Sequence, residues 1–503
     1  MKKHISFLVA LCLVMSLLAA GATASGGDAA RDDLVLVLNA DIATMHPSDY
    51  STTDEHRIGL QIYDTLLFST LDGAEELSPL LAESWEISDD GLEYIFHLRQ
   101  DVTFHNGAPM TAADVVFSLE LFRNSRYQGA VGEGLDTAEI IDDYTVKMTT
   151  AEVTGPFLES LGQLQVASKA YFDSVSEEEF AQNPIGTGAY KFVSHSLGSS
   201  VTLASNEDYF RGAPAIKNLT FRVLSDDATI AISLQTGELD FVNIKEANYA
   251  NLEGVAGLTI QEVPESRFGF ISMNYEKEPY NHTKFRQAVA YAIDRQNLID
   301  TALDGIGTAN SNLISPLRFG YSDDLPEYTY DPEKSKELLA EAGIETPYDL
   351  GVMQVYDMFK IQAQVIQNDL AAVGLNVAIE IVERNTMLQN MFNGDIGITT
   401  MSMTLEGGTE QYALALTSPY VGMANNVRYS NPEIDALFEE ASHTLDEDAC
   451  FKLYNQIFRQ VQEEAVFVVL YNTVCLYAYN ENLYVPALPL EGNFKVFDFY
   501  WMQ

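Results

Sequence analysis

Apolar positions along this chain repeat with two periods, and the switches between them mark its elements. Residues 94–98 alternate as a half-buried strand does, and Asp89-Asp90-Gly91 ahead of them predicts a hairpin turn. Thr111-x-x-Asp114 precedes apolar positions at Val115, Val116, Leu119 and Phe122. That predicts a helix whose first backbone N–H groups are met by the Thr hydroxyl and the Asp carboxylate. In the carboxy-terminal half, Asp331-Pro332 opens a helix with Leu338, Leu339 and Ala342 on its apolar face, and Gly343 ends it. A second helix runs from Phe359 through Ile361, Val365, Ile366 and Leu370 to Val373, with Gly374 as its stop. Leu375, Val377, Ile379 and Ile381 then alternate as a strand. Asn431-Pro432 opens a third helix bearing Ile434, Leu437, Phe438 and Ala441. A fourth carries Leu453, Ile457, Phe458 and Val461 before a strand that starts at Ala465. Helices alternating with strands predict an α/β lobe.

The chain has 503 residues, more than one core normally organises, so at least two lobes are expected. No internal repeat, low-complexity tract or Pro/Ser-rich linker separates them. Short crossings within folded structure must therefore join the lobes, and repeated crossings make a hinge.

The first residues read as an export signal spanning 1–24. Lys2 and Lys3 supply the positive end, an apolar stretch runs from Phe7 to Ala20, and Ala22-Thr23-Ala24 offers a small-x-small cleavage site before Ser25. The apolar run is too short for a comfortable bilayer span, and no later segment of about 18 uninterrupted apolar residues follows. A mature chain outside the cytoplasm is expected, either periplasmic or at the cell surface. That route permits a disulfide between the two remaining cysteines, Cys450 and Cys475, and leaves two thiols equally open.

A formal net charge of -45 changes the list of partners. It argues against nucleic acid and anionic membrane surfaces, and it raises the local concentration of cationic solutes. The acids are scattered, so charge alone does not define a cargo.

Candidate chemistry is sparse. Gly186-Thr187-Gly188 lacks the Gly-Lys-Ser/Thr ending of a phosphate loop and reads as a tight chain crossing where glycine relieves backbone strain. The sequence holds no Gly-x-Ser-x-Gly elbow and no His-Glu-x-x-His pair. His97 and His105 read as strand and turn residues, and His46, His56, His195, His282 and His443 are scattered. Nothing asks for a cofactor, a resident metal or a catalytic set.

Several runs together carry a family resemblance. They include Leu80-Leu81-Ala82-Glu83-Ser84-Trp85, Phe104-His105-Asn106-Gly107-Ala108-Pro109-Met110-Thr111-Ala112-Ala113-Asp114-Val115-Val116-Phe117 and Ile62-Tyr63-Asp64-Thr65-Leu66. Asn183-Pro184-Ile185-Gly186-Thr187-Gly188-Ala189-Tyr190, Asn206-Glu207-Asp208-Tyr209-Phe210 and Leu234-Gln235-Thr236-Gly237-Glu238-Leu239-Asp240 follow. Phe285-Arg286-Gln287-Ala288-Val289-Ala290-Tyr291-Ala292-Ile293-Asp294-Arg295 and Tyr330-Asp331-Pro332-Glu333-Lys334 complete the set. In order and spacing, from about Leu34 to about Tyr479, the chain resembles the extracytoplasmic solute-binding proteins (family 5) of peptide- and nickel-type ABC importers.

The resemblance implies an α/β, two-lobed periplasmic-binding-protein-like fold of the class II/cluster C type, with an extra inserted domain and a hinge. Lobe 1 would gather residues 34–60, 186–268 and 474–503, the inserted domain 61–185, and lobe 2 residues 269–473. The implied function is capture of a peptide or peptide-like solute by a monomer, which delivers it to a membrane permease coupled to ATPase subunits. A nickel–metallophore receptor is the alternative within the class, and a secreted hydrolase the alternative outside it. Lipoprotein relatives carry a cysteine directly after the cleavage site; Cys12 lies inside the apolar run after Leu11, so a lipid anchor is not expected.

In peptide-binding relatives an acid in a Trp-x-x-Asp segment meets the ligand's ammonium. The counterpart here is residues 400–412, which lack both the tryptophan and the aspartate; Glu406 or Glu410 is the candidate acid, and Met403 and Tyr412 are ligand-binding candidates of the same segment. Dipeptide-binding relatives place an arginine near residues 355–358; none stands there, with Lys360 and Arg384 nearby in sequence. Tyr50, Ser51 and Thr52 before the first crossing, and Phe270 and Asn274 at the second, are further ligand-binding candidates.

Overall fold

A computed structural model describes residues 31–502 apart from 70–76, 126, 128–130, 133, 154–155, 246–247, 317, 406–407 and 489–493. The export signal and Glu406 therefore lie outside the described residues. Among those described, eleven strands form one mixed sheet. Ten lie on its main path: β1 (Asp33–Leu38), β2 (Tyr190–Ser196), β3 (Ser200–Ser205), β4 (Asn218–Val223), β5 (Phe241–Ile244), β6 (Leu258–Met273), β7 (Tyr348–Val355), β8 (Leu375–Ile381), β9 (Ile398–Met403) and β10 (Val468–Asn480). Their spatial order is β8-β7-β9-β6-β10-β5-β1-β4-β3-β2.

The sheet is two sheets joined by two long strands. β6 and β10 run antiparallel, and their amino and carboxyl halves belong to different lobes. On one side β10 pairs with β5, which is parallel to β1 and followed by β4. On the other side β6 pairs with β9, beside β7 and β8. The register breaks between the halves: Pro264 pairs with Val474 and Phe268 with Asn472, so three residues of β6 face one residue of β10. Such a bulge bends the ladder and removes its regular hydrogen bonds.

Each half buries its own cores. In the first lobe Leu34, Leu36, Phe221, Phe241 and Tyr477 face one layer, and Val37, Leu234, Val242 and Leu476 the other. In the second lobe Ile271, Val289, Met353, Leu370 and Leu470 pack on one face, and Phe268, Phe270, Ile434, Ile457 and Phe467 on the opposite one. A third core, with Phe96, Val115, Phe122, Val146 and Phe157, belongs to a separate four-stranded sheet between residues 82 and 150 and its covering helices.

Local signals explain most element ends. The helix Ala112–Arg123 starts with a reciprocal cap, Thr111 N and Oγ1 each donating to Asp114 Oδ2 at 2.9 Å. Asp331 accepts from Lys334 N at 2.9 Å ahead of Pro332–Glu341, and Asn431 from Glu433 N at 3.0 Å ahead of Pro432–Ser442. The second helix begins with a 3-10 turn, Asp357–Phe359, before Lys360–Ala372. The strand after the fourth helix, β10, starts at Val468, later than the pattern predicts, because Ala465 takes a positive φ of 48° at the turn out of the helix Glu447–Glu463.

The disulfide does not form. Cys450 lies on the helix Glu447–Glu463 and packs on the second lobe's core. Cys475 lies on β10 beyond the register break and packs against the first lobe's core with Val263 and Tyr477. The strand leaves lobe 2 before it reaches the second cysteine, which separates the two thiols.

The four-stranded domain is fastened to the first lobe. Gly188 N donates to Ile62 O at 2.8 Å, and a Cβ on Gly188 would stand 2.6 Å from the Gln61 carbonyl oxygen. A Cβ on Gly186 would overlap the Ile62 carbonyl oxygen. These glycines permit close backbone approach; neither has a positive φ, so relief of strain is not their role. His105 closes the seam: its Nδ1 accepts from Gly186 N at 3.3 Å and its Nε2 donates to Gly188 O at 2.9 Å. Burial holds this imidazole neutral, with its pKa lowered to about 4. Asp64, with 1% of its side chain exposed, accepts from Lys495 Nζ at 2.9 Å, Tyr209 Oη at 3.0 Å and Thr187 Oγ1 at 3.2 Å.

Candidate functional site: a cleft between two sets of strand ends

The pairing fixes where the cleft lies. β1, β4 and β5 are parallel, and Ile244 at the end of β5 pairs with Leu476, two residues from the register break. β7, β8 and β9 are parallel, and Met403 at the end of β9 pairs with Phe268, at the same break. The carboxyl ends of both sets therefore face each other across the bent strands. In open α/β sheets, ligands sit outside those ends. The walls are the described segments leaving them: residues 39–53 in the first lobe, and 356–359, 382–384, 404–405 and 408–411 in the second.

The first wall is held by its own chain. Two acids in the first turn of the helix Thr53–Ile62 turn back on it. Asp54 Oδ2 accepts from Asn39 N at 2.8 Å and Ala40 N at 3.2 Å. Glu55 accepts from Ala43 N, Ser51 N and Thr52 N at 2.8–3.0 Å and from Ser51 Oγ at 3.1 Å. Burial pushes the Glu55 carboxyl up, and these donors more than offset it, leaving it below the usual range. Thr52 caps the same helix through Glu55 N at 3.2 Å. Ser51 and Thr52 thus stand on the cleft edge with their polar atoms engaged in the cap. Tyr50 is buried against Gly59 and presents no face to the cleft.

The other predicted positions separate. Phe270 is fully buried, its ring against Phe268 and Phe467. Asn274 is buried and donates to Gly394 O and Ile396 O at 3.0 and 3.2 Å, which fixes a chain turn. Tyr412 is buried against Phe458. Met403 and Glu410 are half-buried at the end of β9 and in the turn after it. Of the described candidates, Ser51, Thr52, Met403 and Glu410 border the cleft, while Tyr50, Phe270, Asn274 and Tyr412 support its walls from behind.

Two residues at the break were missed. Glu265 on β6 lies 2.5 Å from Thr473 Oγ1 and 2.6 Å from Cys475 Sγ, both on β10. Burial and the neighbouring carboxylate push the Cys475 thiol up to about 12, so it stays protonated. Arg267 is exposed and reaches Thr404 Oγ1 at 3.3 Å. A partial signal was present: the polar run Glu265-Ser266-Arg267, after Pro264, separates Val263 from the apolar stretch Phe268–Ile271. A cavity of about 420 Å³ lined by Tyr280, Tyr348, Asp349 and Asn390 lies at the opposite, amino ends of β7 and β9, away from this cleft.

The family model for bacterial extracellular solute-binding proteins, family 5 Middle, matches residues 76–422. The chain belongs to that family. Heme-binding protein A of Haemophilus influenzae is 30% identical over 450 residues, 82% of each chain. The dipeptide-binding protein of Escherichia coli is 30% identical over 439 residues, 80% of this chain and 82% of the relative. The solved structure of HbpA2 from Haemophilus parasuis is 26% identical, with a TM-score of 0.85 over 94% of this chain and 100% of that one. The overlap is 0.69 with an oligopeptide-binding protein of Bacillus subtilis in complex with a nonapeptide, at 26% identity over 94% of this chain and 99% of that one. It is 0.84 with the unliganded open form of a murein tripeptide-binding protein, at 19% identity over 94% and 97%. Members of this family bind solutes outside the cytoplasm; they are binding proteins, not enzymes. No helix among the described residues is long and apolar enough to cross a membrane.

Proposed function

We propose that this protein is the exported receptor of an ABC importer, capturing peptides in the cleft and delivering them unchanged to a membrane permease coupled to ATPase subunits. The observation that carries the reading is the pair of strand-end walls facing each other across only two bent strands. A ligand touching both walls favours the arrangement in which they meet, because only there does it gain both sets of contacts. The lobes divide at the register break, with the four-stranded domain riding with the first lobe. The better overlap with an open than with a peptide-filled relative fits an unclosed cleft. Related dipeptide- and oligopeptide-binding proteins support peptide as the cargo.

Calorimetry with defined peptide pools, against nickel with histidine-like chelators and against heme, tests the reading. Saturable binding of peptides alone is expected. Tight binding of another solute with no response to peptides removes the peptide cargo and leaves the receptor role. Native mass spectrometry of exported protein would identify what occupies the cleft after purification.

A further inference from the structure

Cations are scarce in this chain, 28 Lys and Arg against 73 Asp and Glu, and what sets some of them apart is where they stand rather than the lack of an ion pair, which exposed Arg123, Arg211 and Lys452 share among the described residues. Arg31, Arg57, Arg99, Arg222, Arg428 and Arg459 each close an ion pair. The buried Arg286 and Arg295 donate to backbone carbonyls. Arg267, Lys360 and Arg384 do neither. All three are exposed, and none makes an ion pair among the described residues. Arg267 has the 3.3 Å contact to Thr404, and Arg384 lies with its guanidinium 6.0 Å from the ring centre of Tyr356.

Their placement is ordered by the sheet. Arg384 follows the end of β8, Lys360 follows β7, and Arg267 sits where β6 enters lobe 2, beside Thr404 at the end of β9. These strands are neighbours in the order β8-β7-β9-β6. At about 4.8 Å per strand the row spans roughly 14 Å, about four residues of extended chain. The acids along it are Glu265, Asp357, Glu383 and Glu410; Glu265 is engaged by Thr473 and Cys475, and Glu383 caps the helix Arg384–Phe392 through Thr386 N at 3.1 Å. Backbone donors, and after them the neighbouring Arg384 charge, hold the Glu383 carboxyl below the usual range. A single terminal carboxylate is satisfied by one bidentate arginine. Three exposed cations without an ion pair among the described residues, across four residue lengths, exceed that need.

We propose that Arg267, Lys360 and Arg384 form an anion-reading wall in lobe 2 that selects peptides bearing acidic side chains over their neutral isosteres. The inference rests on the peptide reading above and adds the charge of the cargo. In an extended peptide, alternate side chains point to one side about 7 Å apart, a spacing the row accommodates. The cations also offset the repulsion that a chain of net charge -45 exerts on an anionic guest.

The test uses the full mature chain and matched peptides of two to five residues with free termini, alternating Ala with Glu, Gln or Lys, titrated by calorimetry. The Glu series should bind at least about tenfold tighter than the Gln series, and the ratio should fall as salt rises. The double substitution Arg267→Gln with Arg384→Gln should bring the ratio towards one, even if both series weaken through the shared terminal carboxylate, while the melting temperature stays unchanged because both side chains are exposed. Equal binding of the Glu and Gln series to the native chain, or a ratio that survives the double substitution, overturns the wall alone. Binding of no series at all removes the peptide reading and the wall with it.

Discussion

The two junctions of this molecule are built on opposite principles. At the seam between the four-stranded domain and the first lobe, backbone lies directly on backbone at Gly186 and Gly188, and buried polar groups are cross-linked through His105 and Asp64. At the junction between the lobes, two strands cross, a bulge interrupts their ladder, and half-exposed side chains stand where backbone pairing lapses. Buried hydrogen-bonded charge networks resist distortion because any opening exposes an unmet group. A two-strand ribbon with a bulge bends at small cost. The contrast assigns rigidity to the first junction and motion to the second.

The seam is the place to look for large effects. Asp64→Ala leaves Lys495, Tyr209 and Thr187 without their shared acceptor, and we expect a loss of about 3–5 kcal/mol in chemical denaturation. Acid should loosen the seam next. His105 stays neutral in the fold down to about pH 4, whereas the unfolded chain's imidazole takes a proton near its ordinary 6.5. The unfolded state therefore binds more protons between those values. Stability is fully present above about pH 6.5 and is lost as pH falls towards 4, by up to about 3 kcal/mol. His105→Gln should flatten that arm of the pH profile. Gly186→Ala drives a methyl into the Ile62 carbonyl and should cost about 1–3 kcal/mol by melting or denaturant titration.

The hinge should respond differently. Thr473→Val removes the hydroxyl beside Glu265 Oε2 and Arg267 O, a change worth about 1 kcal/mol. It should move cargo affinity several-fold through the open–closed balance while the melting temperature stays nearly constant. A melting shift as large as that of Gly186→Ala would erase the distinction between the junctions.

What the sequence made legible was local. Thr111, Asp331 and Asn431 announce helix starts because a cap is decided within four residues. Ala465 misled the strand boundary because a positive φ in a non-glycine residue has no sequence signature. Gly186 and Gly188 were recognisable as a crossing, but the carbonyls they admit come from a segment more than 120 residues earlier. The family motif pointed to segments that leave strand ends near the register break. It did not tell which side of a strand or turn each residue occupies, so Phe270, Asn274 and Tyr412 stand behind the wall they were expected to line. Arg267 was overlooked because its position matters only once β6 is known to bend there.

The central claim is that the two strand-end walls approach each other when cargo binds. Leu197, 84% exposed at the turn between β2 and β3, and Met358, 76% exposed after β7, mark the two rims. Spin labels at cysteines replacing these residues, in a chain with Cys450 and Cys475 changed to serine, report the distance between the rims. Saturating peptide should shift that distribution to shorter values as a single closing step. An unchanged distance in protein that calorimetry shows to be fully loaded would contradict the account.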